Sequence, residues 1–188
     1  MKLLCTLLLS SILLFHSCKS ECNETDTSIK SIMKGWYLKK IYFPENMEIL
    51  SVKPIRYPEN IVQSLKVKKK FTVVHFFTAD CDKCVNELKM ILSRLKTIAQ
   101  NDNVDFVFIA SAPTKLYVMD AIKKVNFPYP VYYEKEYFSF KSMNKLVLLD
   151  DIYNTMLLDE NQNVILFGAF YANDKARSLY SKAIKCNL

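Results

Sequence analysis

The chain has 188 residues and 51% of them are apolar, enough for one domain with a sizeable core and too many for wholesale disorder. Gly35 and Gly168 are the only glycines, and His16 and His75 the only histidines, so neither a glycine-rich phosphate cradle nor a multi-histidine metal site can be written from this sequence. The 26 basic side chains outnumber the 19 acidic ones, a net +7, and 12 Phe, 11 Tyr and 1 Trp favour β-structure around a well-filled interior.

The first stretch reads as an address. Met1-Lys2 is followed by a mostly apolar run from Leu3 to Phe15, too short to cross a bilayer as a helix of about 20 residues but suited to a signal peptide. The run ends in Phe15-His16-Ser17-Cys18, which resembles a bacterial lipobox with Cys18 as the lipidated first residue of the mature chain. Phe15 and His16 depart from the usual lipobox residues, and an ordinary signal peptide cut near Ser17 or Ser20 is the alternative. Residues 18–35 begin with a polar run and are expected to be a flexible tether, leaving 36–188 as the folded domain. Export makes nucleic acid an unsuitable partner for the basic charge. It also puts the remaining cysteines, Cys22, Cys81, Cys84 and Cys186, in a compartment where disulfides persist. Nothing in the sequence chooses between a Cys22–Cys186 bridge and two free thiols.

Trp36–Phe43 is aromatic and β-prone and is predicted as a strand stopped by Pro44, with a second short strand over Ile49–Val52. Pro58 opens one or two helical turns through Leu65. Phe71–Phe77 is β-branched and aromatic without alternation, the pattern of a strand buried on both faces. Val85, Leu88, Ile91, Leu92, Leu95, Ile98 and Ala99 then recur at helical spacing between charged residues. Val104–Ala110 is a second buried strand, Thr114 caps a helix running to about Val125, and Pro130–Tyr133 is a third strand. Asn154–Asp159 and Val164–Phe167 flank a turn-forming tip and form a hairpin, followed by a last helix over about Asn173–Lys185. Helices alternating with buried strands imply an α/β sheet covered on both faces.

Cys81-Asp82-Lys83-Cys84 lies between a buried strand and the first turn of a helix. Two cysteines three apart close a disulfide across one helical turn. The first meets the unpaired N–H groups and positive dipole end that stabilise a thiolate, while the second lies further in. Cys81 is therefore the expected nucleophile and Cys84 the resolving thiol.

On these residues the chain resembles the thioredoxin superfamily, specifically the exported TlpA/ResA-type thiol-disulfide proteins. The resemblance runs through Val73–Cys84, through Phe127-Pro128-Tyr129-Pro130-Val131, and through Thr155–Asn161 with Val164, Ile165 and Gly168, and covers about residues 36–186. It implies a thioredoxin-like fold: a central mixed sheet with helices on both faces and a C-terminal β-hairpin plus helix. It assigns Cys81 and Cys84 the exchange chemistry and implies no cofactor. Three departures stand out. The family's cis-proline before the closing hairpin falls on Tyr153, and a cis bond there costs about 3–4 kcal/mol, so a trans peptide is expected. Asp80 replaces the aromatic residue before the first cysteine. With Asp82 it raises the Cys81 thiol pKa while Lys83 and the helix end lower it, a balance that biases the pair toward reducing others. His75 stands six residues before Cys81, where thioredoxins carry a buried acid that takes the resolving thiol's proton. The plainer reading is a strand histidine bonded to a neighbouring carbonyl.

A zinc site would need two more ligands from Cys22, Cys186 and His75, and peroxidase chemistry has only Thr78-Ala79-Asp80-Cys81 in its favour. The expected function is thiol-disulfide exchange on other exported proteins, from a lipid anchor in a bacterial cell envelope, with a membrane redox partner as a candidate source of electrons. The competing reading is a non-catalytic binding or scaffolding lipoprotein with a structural CxxC.

Overall fold

The computed structural model describes residues 21–53, 69–80, 82–99, 103–146 and 154–188. In chain order these form helix α1 (21–32), β1 (Met47–Leu50), β2 (Phe71–Thr78), α2 (Asp82–Ala99), β3 (Val104–Ser111), α3 (Lys115–Lys124), β4 (Val131–Glu134), α4 (Ser139–Met143), β5 (Thr155–Leu158), β6 (Val164–Phe167) and α5 (Asp174–Cys186). The predicted turns over 58–65 lie outside the described residues.

The six strands make one mixed sheet in the order β1-β4-β3-β2-β5-β6. β2 runs parallel to β3 in register from Phe71↔Val104 to Thr78↔Ser111, and antiparallel to β5 from Thr72↔Leu158 to His75↔Thr155. Seven of its eight residues are buried, which is why its sequence shows no alternation: neither face meets water. In α2, Leu88, Ile91, Leu95 and Ile98 are buried while Lys89, Met90 and Lys96 are exposed, so the apolar stripe faces the core. Asn173 caps α5, its Oδ1 accepting from the Ala176 amide at 2.8 Å. Thr114 holds the N-cap position of α3 without a side-chain hydrogen bond. The expected fold class, a thioredoxin-like α/β fold with a closing hairpin and helix, is the one observed.

Two local expectations fail. Trp36–Phe43 is not a regular strand. Leu38 takes a left-handed conformation (φ 62°), and the segment only follows the free edge of β6, through Leu38 N–H to Val164 O, Ile41 N–H to Gln162 O and Val164 N–H to Lys39 O at 2.8–2.9 Å. Asn144 clamps the other end of this segment, bonding both the N–H and the C=O of Tyr42 at 2.8 Å. Residues 21–35 are not a flexible tether. Residues 21–32 are helical, and Thr25, Ile29 and Met33, four residues apart, are 6%, 0% and 4% exposed. Cys22 continues that stripe and is disulfide-bonded to Cys186 at the end of α5, with Cα atoms 5.4 Å apart. A polar helix needs only one such stripe to dock, and the polar residues on either side of it hide it in the sequence.

The short helix α4 was not anticipated either. Phe138 enters it in the left-handed region (φ 60°), and the buried Glu134 at the end of β4 supplies the cap, accepting from the Phe140 amide and from Ser139 Oγ at 3.0 Å. Burial pushes the Glu134 carboxyl pKa up, against these hydrogen bonds, which lower it.

Candidate active site

The central strand β2 ends at Thr78, the Ala79 amide donates to Ser111 O at 3.2 Å, and α2 starts at Asp82. Cys84 is the third residue of α2, and the sequence puts Cys81 immediately before the helix. Cys81 itself, Tyr153 and Cys18 lie outside the described residues. Asp80 and Asp82 are both exposed, and a cavity of about 320 Å³ opens beside them, walled on the far side by Tyr117 and Asp120 of α3.

His75 sits in the middle of β2, fully buried, opposite Thr155 in the register with β5. Its Nδ1 is hydrogen-bonded to Thr155 Oγ1 at 2.8 Å, and Nε2 has no partner among the described residues. Phe77, Phe108 and Tyr171 surround the ring at centroid distances of 6.0, 6.3 and 5.7 Å. Loss of solvent pushes its pKa down to about 3, so the imidazole is neutral. The bonding partner is a hydroxyl rather than the carbonyl expected for a strand histidine. Charging the ring in place costs about 5 kcal/mol relative to water, at about 1.4 kcal/mol per pKa unit.

Sequence reading missed a second polar pair. Glu87, one turn beyond Cys84 and on the same face of α2, accepts a hydrogen bond from the Tyr171 hydroxyl. Tyr171 is 5% exposed, and burial, followed by the Glu87 charge, pushes its hydroxyl pKa well up. It lies in the loop after β6 and packs its ring edge-on against His75. The i, i+3 spacing from Cys84 to Glu87 was legible; nothing local marked Tyr171.

Among the described residues no group of three or more His, Cys, Asp and Glu side chains is arranged to hold a metal ion. The Cys22–Cys186 bond removes both of those thiols from any zinc ligand set.

The family model for redoxin matches residues 50–178, most of the chain and all of the sheet from Leu50 onward. The chain belongs to the redoxin family. Its place in the thioredoxin superfamily accords with the solved structures it resembles, at identities that speak for fold alone. A Bacteroides thetaiotaomicron protein, provisionally designated a protein disulfide isomerase, matches at TM-score 0.55 and 14% identity, over 80% of this chain and 91% of that one. StoA from Bacillus subtilis matches at TM-score 0.50 and 20% identity, over 74% and 99%. A Bacteroides vulgatus protein, provisionally designated a thiol-disulfide oxidoreductase, matches at TM-score 0.56 and 12% identity, over 77% and 94%. No curated protein sequence matches. In this redoxin fold, the β2–α2 junction carries the Cys81-Asp82-Lys83-Cys84 motif, and two hydrogen-bonded pairs, His75–Thr155 and Tyr171–Glu87, meet through the His75–Tyr171 ring contact and so link β2, β5, the loop after β6 and α2. Among the described residues, no helix is long and apolar enough to cross a membrane.

Proposed function

We propose that the protein is an exported, Cys18-anchored thiol-disulfide oxidoreductase that reduces disulfides of other exported proteins. The observation that carries this reading is the motif's place: Cys84 in the first turn of the helix that follows the central strand, Cys81 directly before it in sequence, in a redoxin-family chain. The Cys81 thiolate attacks one sulfur of a client disulfide, forming a mixed disulfide and releasing the client's other sulfur as a thiolate. The Cys84 thiolate then attacks the Cys81 sulfur. The client leaves with two electrons as a dithiol, and a Cys81–Cys84 disulfide remains, to be reduced by a dithiol partner at the membrane. Asp80 and Asp82 beside Cys81 disfavour its thiolate and hence favour the reductant's direction. The Cys22–Cys186 bond supports export, since such bonds persist in oxidising compartments.

The test is a redox titration of the chain from residue 19 onward, which keeps Cys22 with Cys186, against thiol/disulfide buffers. Alkylation is read by mass spectrometry, with Cys81→Ser and Cys84→Ser as controls. Reversible two-electron behaviour of the 81/84 pair between about −120 and −300 mV, and trapping of clients on Cys81 in Cys84→Ser, is the expected result. A pair that never cycles within that range refutes catalysis and leaves a scaffold with a structural CxxC.

A further inference from the structure

The 18 residues from Cys18 to Gly35, read as a tether, would let the domain float as much as about 60 Å from its lipid, at about 3.5 Å of extended chain per residue. The fold removes nearly all of that length. Helix α1 is already formed at residue 21 and docks through Thr25, Ile29 and Met33. Cys22 is covalently fixed to Cys186, and Glu21 is paired with Lys182 of α5 at 3.0 Å. Three residues separate Cys18 from Cys22, and the four steps between them reach at most about 14 Å. We infer that the Cys22–Cys186 disulfide turns the tether into a short strap. It holds the end of the molecule where α1 begins and α5 stops against the lipid surface in which Cys18 is anchored.

The partner is the bilayer surface itself. The exposed Lys182 and Lys185 and the half-buried Leu188 stand at that end, beside the disulfide. Without the disulfide, the first turn of α1 is held to α5 by the Glu21–Lys182 pair, whose side chains are 49% and 46% exposed, a contact of little strength in water. Fraying back to Ile29, the first fully buried residue of the helix, lengthens the free chain to 11 residues, or about 38 Å. The bond therefore sets how far the domain stands from the membrane.

This inference rests on the proposed lipidation of Cys18, and the experiment separates the two. The full mature lipoprotein is reconstituted into phosphatidylethanolamine/phosphatidylglycerol vesicles carrying a dansyl-headgroup lipid. Energy transfer is read from Trp36, the sole tryptophan, which packs on Phe167 at 4.9 Å. Two variants are compared with the wild type: a Gly/Ser spacer of about twenty residues between Ser20 and Glu21, and Cys22→Ser with Cys186→Ser. Transfer is expected to fall at least two-fold with the spacer, and measurably in the double variant. Equal transfer in wild type and spacer variant overturns the strap. A fall with the spacer but none in the double variant overturns the disulfide's part in it. Mass spectrometry of the N-terminal peptide showing no lipid on Cys18 overturns the anchored reading, and the strap with it, whatever the transfer values.

Discussion

Replacing His75 by Gln should change how stability responds to acid more than it changes stability at neutral pH. His75 is the only histidine after His16, it is fully buried, and its pKa is held at about 3 against an ordinary 6.5. A group whose folded pKa is depressed leaves stability intact above its unfolded pKa and removes it as pH falls, because the unfolded chain takes up a proton the folded one refuses. The loss begins near pH 6.5 and continues down to about pH 3. Each unit in that window costs about 1.4 kcal/mol, so between about pH 7.5 and pH 5 the wild type loses about 2 kcal/mol through this residue alone. Glutamine can still bond Thr155 Oγ1 but does not titrate, so the variant lacks that slope. The assay is guanidinium unfolding followed by Trp36 fluorescence at both pH values. Glu134 and Asp105, whose burial raises their pKa values, act in the opposite direction but equally in both proteins, and their contribution cancels in the comparison. The gap between the two stabilities should close by about 2 kcal/mol on acidification. Parallel losses would refute the picture of a neutral, desolvated imidazole in the core.

Removing the Cys22–Cys186 bond by the paired serine substitutions frees a loop closed over 164 residues, worth about 5 kcal/mol by the chain-entropy argument and commonly about 2–5 kcal/mol in practice. An unshifted denaturation midpoint would show that the bond constrains neither state. Tyr171→Phe deletes the hydroxyl that holds Glu87 and should lower stability by about 1.5–3 kcal/mol, the usual range for a hydrogen bond to a charged group. It should also shift the pH dependence of Cys84 alkylation, and Glu87→Gln should shift it in the same assay. Unchanged profiles in both variants would separate this pair from the thiol chemistry.

Continuous or periodic apolar patterns made several elements readable from the order of residues alone. Phe71–Phe77 lacks alternation because both faces of β2 are covered, and Leu88, Ile91, Leu95 and Ile98 repeat because α2 buries one stripe. The hairpin was readable for a similar reason. Asp159 at its tip accepts from the Asn161 and Asn163 amides at 2.8 Å, a local pattern that turn-forming residues announce. The strand–CxxC–helix order, which carries the functional reading, is likewise contiguous in sequence.

Interactions between distant segments were decided only when the chain closed on itself. Trp36–Phe43 has the composition of a strand, yet its path is dictated by the β6 edge and by Asn144, about a hundred residues away. Helix α1 looks like tether because its one buried stripe is narrow, and its docking face exists only once α5 and β6 are in place. The partner of Cys22 and the hydroxyl that meets Glu87 follow from the same closure. The sequence by itself determined the central strand, the helix after it and the cysteines at their junction, because each is written in local periodicity and order. The tertiary structure alone decided that Cys22 pairs with Cys186, what surrounds His75 and that residues 21–32 dock as a helix, because those depend on residues brought together from distant parts of the chain.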